Sequence, residues 1–199
     1  MKNKLSVLLI LSFITPLCFA EAKSTSHTQG MTASEVIQYP SSGSATVIID
    51  RPIAEVFKTL TNVTQWPKIN QGVTQAITPK IVDVKKGAKF KETIASPIPG
   101  IANWTKELTV EEYIPNRRFV ISGVDTFAPN APIFARLTYE FKEKTANSTI
   151  YTRTTEVDLS DHQFIEHANK QEIESLYRFL GSQWEMANHL KHYVENATP

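Results

Sequence analysis

The sequence holds a single cysteine, Cys18, in 199 residues. It lies in an N-terminal segment with the marks of a signal peptide: Lys2 and Lys4, an apolar run from Leu5 to Phe19, then Ala20, after which cleavage is expected. The run is too short for a comfortable membrane span, so a retained anchor is the weaker alternative. Leu17 stands where a lipidation site needs a small residue, which reads against a lipoprotein. Without residues 1–20 the chain has no thiol, and this excludes disulfides, thiolate metal sites and a cysteine nucleophile. Stability must then come from core packing.

An excess of charge of one sign is also missing. The full sequence has 21 basic and 20 acidic residues, and loss of Lys2 and Lys4 leaves 19 against 20. No electrostatic basis for binding nucleic acid remains. Nor is there a glycine-rich phosphate loop, an HExxH sequence, a nucleophile elbow or a sequential metal motif. His162 and His167 lie five apart and His189 and His192 three apart; both pairs read as surface residues near helix ends. No catalytic residue, metal or cofactor is therefore assigned. A secreted chain without disulfides fits a periplasm at least as well as a eukaryotic exterior. The sequons at Asn62, Asn103, Asn147 and Asn196 keep the second setting open.

What is present begins with a leader at residues 21–43, rich in Ser, Thr, Gly and Gln and too polar to offset its ordering entropy. The remainder, residues 44–199, is long enough for one domain with a sizeable core. Alternation and turn chemistry predict strands at Ala45–Ile49, Val73–Val84, Lys89–Ile94, Trp104–Tyr113, Phe119–Val124, Ile133–Phe141 and Ser148–Leu159. A helix carrying Val56, Phe57 and Leu60 follows the first strand and stops at Trp66-Pro67. One amphipathic helix is expected from Phe164 to Glu195, starting near Asp161 or His162, with Ile173, Leu176, Leu180, Trp184, Ala187, Leu190 and Val194 on its apolar face. Gly181 inside it marks a bend, a close packing or a tolerated defect.

The connections differ in kind. Lys85-Lys86-Gly87, Pro115-Asn116-Arg117 and Thr145-Ala146-Asn147 are polar turns, whereas Pro97–Ile101 and Phe127–Ile133 are apolar and stiffened by proline. Connections of an antiparallel meander alternate between sheet ends, so the polar turns share one end and the apolar loops the other. The second end reads as a mouth, or as loops packed on the core.

A strand-helix opening from Ala45 to Pro67, a run of antiparallel strands and one closing helix resemble the START-like or SRPBCC superfamily, which includes polyketide cyclase/dehydrase and lipid-transfer proteins. The resemblance implies an α+β helix-grip fold. In it, a curved seven-stranded antiparallel sheet wraps around a long C-terminal helix, with two short helices after the first strand and a ligand cavity between sheet and helix.

Within that frame Trp104, Phe127, Ile133, Tyr139, Phe141, Arg153, Leu176, Leu180 and Trp184 are the expected ligand-binding residues. Tyr139 shares parity with Ile133, Ala135, Leu137 and Phe141. Arg153 shares parity with Tyr151, Thr155 and Val157; in this phase it faces the cavity and can bind a carboxylate or phosphate. In the opposite phase Ile150 points inward and Arg153 meets solvent. Lys106 falls on the parity of Trp104, Leu108 and Val110, which marks a strand end or weakens that assignment. Trp66 reads as a packing anchor.

Three functions follow. The first is binding or transport of a hydrophobic small molecule, with the partner a lipid, polyketide or aromatic compound. The second is a cavity-based enzyme of the cyclase/dehydrase type, with Tyr139, Glu107, Glu156 or Asp125 as proton donor or acceptor. The third is docking to a protein or membrane through the Pro97–Ile101 and Phe127–Ile133 loops.

Overall fold

Seven stretches alternate apolar and polar residues, and each contains a strand in the computed structural model, which describes residues 41–81, 84–96, 102–126, 132–160 and 163–197. The stretch read as a signal peptide, most of that read as a leader, the Pro97–Ile101 connection, Phe127–Ala131 and Asp161-His162 lie outside the described residues. In chain order the elements are β1 (Ser42–Ile49), α1 (Ile53–Thr61), a 3-10 turn (Val63–Gln65), α2 (Trp66–Ile69), β2 (Thr74–Thr78), β3 (Lys89–Ile94), β4 (Trp104–Ile114), β5 (Arg118–Asp125), β6 (Ile133–Thr145) and β7 (Ser148–Asp158). They are followed by α3 (Gln163–His167), α4 (Lys170–Gly181) and α5 (Gln183–Asn196). The sheet order is β1-β7-β6-β5-β4-β3-β2, antiparallel throughout. This is an α+β helix-grip fold.

Two strands depart from expectation at their ends. β2 stops at Thr78, because Pro79 supplies no amide donor to continue the ladder. β1 begins at Ser42, inside the stretch read as leader, and pairs from Ser42 to Ile49 with Glu156 to Thr149. Register shifts at Thr74/Ala76, Val110/Glu112 and Glu143/Thr145 interrupt the ladders. Bulges of this kind bend a strand and deepen sheet curvature.

The C-terminal helix is not continuous. Asn169 caps α4: its Oδ1 accepts from the amides of Gln171 (2.9 Å) and Glu172 (3.1 Å), and Glu172 Oε2 accepts from the Asn169 amide at 2.7 Å. This capping box fixes the start of α4 at Lys170 and leaves α3 as a separate short helix. The second break is at Ser182, with φ −78° and ψ 2°, where a weak helix former follows Gly181. Ser182 Oγ donates to the Phe179 carbonyl at 2.8 Å, competing with the helical ladder.

Gly181 ends α4 beside the break, with nothing within 4 Å of an added Cβ. It therefore serves no close packing, and its φ lies outside the left-handed region that favours glycine. Gly181→Ala is expected to raise unfolding stability by up to about 1 kcal/mol, because alanine costs less entropy in the last helical turn. Urea unfolding would show this, and a loss of more than about 1 kcal/mol would mean that the bend needs glycine.

The buried stripe of α4 runs on through α5 at helical spacing. Gln183, Ala187, Leu190 and Val194 point inward. Trp184 was expected on the apolar face; it is 68% exposed. Both Gln183, at i+3, and Trp184, at i+4, neighbour Leu180 on a helix surface; the stripe through Leu176, Leu180, Ala187, Leu190 and Val194 centres on Gln183 and leaves Trp184 on its flank. Gly43 makes this approach close: a Cβ there would lie 2.0 Å from the Leu180 carbonyl oxygen and 3.2 Å from Gln183 Cγ. Helix and sheet together bury Leu176, Leu180, Ala187, Leu190 and Val194 against Ile49, Leu137 and Tyr151 in one core. Each large aliphatic side chain so buried contributes about 1.5–3 kcal/mol.

Candidate functional site

Inward parity is settled strand by strand. On β6, Ile133, Ala135, Leu137, Tyr139 and Phe141 are all buried, as alternation predicts. On β7 the inward set is Tyr151, Arg153, Thr155 and Val157, while Ile150 is only half-buried, so Arg153 takes the inward phase. On β4 Lys106 is 3% exposed between Trp104 and Leu108, and is no strand end.

The inner space is filled unevenly. Toward the polar turns, Phe57 of α1 meets Tyr113 and Phe141 edge-on at 5.2 Å each, and Phe141 lies 5.4 Å from Tyr151. That end is solid aromatic core. Toward the other end a cavity of about 510 Å³ remains, walled by β3 to β7, the segment after α2, α4 and the start of α5. Its apolar wall includes Trp66, Ile94, Trp104, Leu137, Phe179 and Met186. Ala95, Trp104 and Asp125, next to the two apolar loops in sequence, also line it, so the cavity sits at the sheet end opposite the polar turns.

Of the expected ligand-binding residues, Trp104, Tyr139 and Arg153 line the cavity. Phe141 is buried in the aromatic core at the closed end, and Leu176, Leu180 and Ile133 are also core residues. α4 presents Ser175 and Phe179 to the cavity, and Leu176 and Leu180 project from a different face of the same helix. Trp184 faces outward, and Phe127 lies outside the described residues. Trp66 does two things: its Nε1 donates to the Leu60 carbonyl at 2.8 Å, which anchors the short helices, and its ring lines the cavity.

One wall is polar. Lys106 Nζ lies 3.4 Å from Glu92 Oε2 and 3.9 Å from Asp125 Oδ2, with all three side chains buried. Glu92 Oε1 accepts from Thr74 Oγ1 at 2.6 Å, and Asn70 Nδ2 donates to the same hydroxyl at 3.4 Å. The ammonium also sits 5.5 Å over the Phe179 ring. Nearby, Arg153 Nε donates to Gln183 Oε1 at 2.8 Å and its Nη1 donates to Tyr139 Oη at 3.1 Å, while the guanidinium lies 5.3 Å over the Tyr139 ring. Thr155 Oγ1 donates to the same Gln183 oxygen at 2.8 Å, and Gln183 Nε2 donates to the Phe179 carbonyl at 2.7 Å.

Burial pushes the Tyr139 phenol up, against the pull of Arg153, so it remains a protonated donor. Burial opposes the charge on Arg153, but Tyr139, Tyr151 and Glu92 outweigh it and hold the guanidinium above its ordinary value. The wall thus offers two carboxylates, an ammonium, a guanidinium and a phenol to whatever fills the apolar space.

Glu92, Lys106 and Gln183 were absent from the expected site. The signal for the first two is in the sequence: Glu92 interrupts the Phe90, Ile94 parity as Lys106 interrupts that of Trp104 and Leu108. Among the named acid-base candidates, Asp125 and Tyr139 reach the cavity, whereas Glu107 and Glu156 are exposed on the outer face.

The family model for Activator of Hsp90 ATPase homolog 1-like proteins matches residues 50–192. No curated protein matches the chain. Similar solved structures include a protein of Chromobacterium violaceum, with TM-score 0.59 and 14% identity over 80% of this chain and 100% of that one. The Zhui aromatase/cyclase from Streptomyces sp. R1128 has TM-score 0.54 and 16% identity, over 77% and 93% respectively. Norcoclaurine synthase from Thalictrum flavum, in complex with dopamine and hydroxybenzaldehyde, has TM-score 0.54 and 10% identity, over 79% and 88%. At these identities the likeness is one of fold.

Proposed function

The chain belongs to the Activator of Hsp90 ATPase homolog 1-like family, within the START-like (SRPBCC) superfamily, and from that premise we propose that it holds a hydrophobic small molecule in the cavity between the sheet and α4–α5. The observation that carries the reading is the cavity itself. Its volume of about 510 Å³ falls within the range of sites for small organic ligands, and a mostly apolar wall with a few convergent polar groups is their usual chemistry. Trp66, Trp104 and Phe179 provide flat surfaces suited to an aromatic or fused-ring compound. In this reading the signal segment sends the protein to the periplasm or beyond it, and the apolar Pro97–Ile101 and Phe127–Ile133 segments favour loading from a membrane.

Native mass spectrometry, with organic extraction, of mature protein purified from its own periplasm tests the proposal. One hydrophobic adduct per chain is expected. An empty protein that also takes up no N-phenyl-1-naphthylamine, a neutral apolar fluorophore, would sink the container reading and leave docking as the better account.

A second reading, acid-base catalysis in the same cavity, is favoured by one observation: Glu92, Lys106 and Asp125 line the ligand space instead of being sealed behind it. Two carboxylates flanking an ammonium can take a proton from, and return it to, a bound carbonyl compound. The same experiment separates the two readings. A carrier returns its ligand unchanged, whereas an enzyme returns a compound of altered mass or connectivity.

A further inference from the structure

Charge is distributed unequally over the polar wall. Both carboxylates are engaged by Lys106, at 3.4 and 3.9 Å, and Glu92 is further held by Thr74. Arg153, 6% exposed, forms no ion pair with a carboxylate within 4.0 Å among the described residues; its Nε and Nη1 donate to the neutral oxygens of Gln183 and Tyr139, and the Tyr151 phenol is a third neutral partner. A guanidinium carries five N–H donors in a planar fork. With one hydrogen given from Nε to Gln183, one from Nη1 to Tyr139 and one to the Tyr151 phenol, two of the five remain for the cavity that Arg153 lines. Tyr139 Oη accepts from Arg153, and no bond donated by its own hydroxyl is recorded among the described residues.

A buried cation is costly unless paired. Neutral acceptors and the Tyr139 ring offset part of that cost, and Glu92 adds a longer-range attraction, but the strongest partner for the fork would be an oxyanion inside the cavity. We propose that the ligand is amphipathic, with an apolar body against Trp66, Trp104 and Phe179 and one oxyanion, a carboxylate or phosphate monoester, held by Arg153 and the Tyr139 hydroxyl. This rests on the container reading and specifies its ligand class. Gln183 is the positioning residue: its Oε1 takes the Nε hydrogen and the Thr155 hydroxyl together, which fixes the plane of the fork.

The test displaces N-phenyl-1-naphthylamine from the mature protein with three near-isosteric probes: 2-naphthoate, 2-naphthyl phosphate and the neutral 2-naphthalenemethanol. Uptake of the fluorophore reports the container independently, so its absence overturns the container reading, and with it this one. If uptake occurs, one of the two anions is expected to bind about tenfold or more tighter than the alcohol, and which one it is names the head group. Equal affinities, or a preference for the alcohol, would overturn the oxyanion site while leaving the container standing.

Arg153→Met is expected to bring the anion-to-alcohol ratio to about one, and Arg153→Lys to keep only part of it, since an ammonium cannot form the planar fork. An anion preference unchanged in Arg153→Met, in protein shown folded by circular dichroism, would assign the selectivity elsewhere and overturn the role of Arg153. The ratio in the unsubstituted protein decides the ligand class even if Arg153→Met fails to fold.

Discussion

Lys106→Met is expected to lower unfolding stability by about 3–5 kcal/mol, the usual loss when one member of a buried ion pair is removed. The carboxylates of Glu92 and Asp125, 5% and 2% exposed, would then share one wall with no ammonium between them. Methionine keeps most of the length and apolar contact of the lysine stem, so the change reports charge more than volume. In a chain of this size the loss corresponds to a fall in Tm of about 6–20 °C. The triple change Glu92→Gln, Lys106→Met and Asp125→Asn removes all three charges and is expected to recover most of the loss, because uncharged groups carry a much smaller desolvation cost. Thermal and urea unfolding of the two variants measure both numbers. A single-variant loss under about 1 kcal/mol would show the trio to be solvated like a surface pair.

That expectation bears on function. A buried ion pair is weak evidence for stability, since a well-packed apolar substitute often does as well. Three charges on the wall of an apolar cavity are therefore better explained by what enters the cavity than by the fold. The fork of Arg153, which has only neutral hydrogen-bond partners, and the flanked ammonium of Lys106 give the two functional readings distinct residues: Arg153 for holding a head group, Lys106 with its acids for moving a proton.

The fold was largely legible in the sequence because its information is periodic. Ile133 to Phe141 alternate cleanly, and β6 runs through the sheet with that face buried. The polar wall was harder to read, for three physical reasons. Arg153 lies in a threonine-rich strand with few apolar residues to fix the phase, so only its packing against Gln183 and Tyr139 chose between two registers. Glu92 and Lys106 sit on different strands, and their complementarity appears only when β3 and β4 pair Glu92 opposite Lys106. Trp184 was misplaced because apolar character was followed where helical spacing favours position 183, which lies between Leu180 and Ala187 at the centre of the stripe and is held by a glutamine. A glutamine on an apolar stripe then supplies the acceptor for two buried donors.

Two tyrosines give the protein an alkaline limit. Burial raises the phenol of Tyr139 and that of Tyr151, and in each case nearby Arg153 only partly opposes it. In the unfolded chain both titrate near about 10. The sign follows from proton counts. Below that pH both states hold the proton and stability is independent of these groups. Above it the unfolded chain loses protons that the folded one keeps, so the unfolded state is favoured and stability falls as pH rises. Each tyrosine then removes about 1.4 kcal/mol per pH unit until its folded pKa is reached. From pH 10 to 12 Tyr151, the more strongly shifted of the two, removes about 2–3 kcal/mol, and Tyr139 adds to the loss in the same direction. Urea unfolding at successive pH values should show this slope, and Tyr151→Phe should make it shallower, since phenylalanine keeps the ring contacts with Phe141 and Tyr139 and has no proton to lose. Phenolate absorbance should rise together with unfolding and not before it. Early ionisation of both tyrosines in folded protein would mean that water reaches them through the cavity and that the aromatic core is not closed.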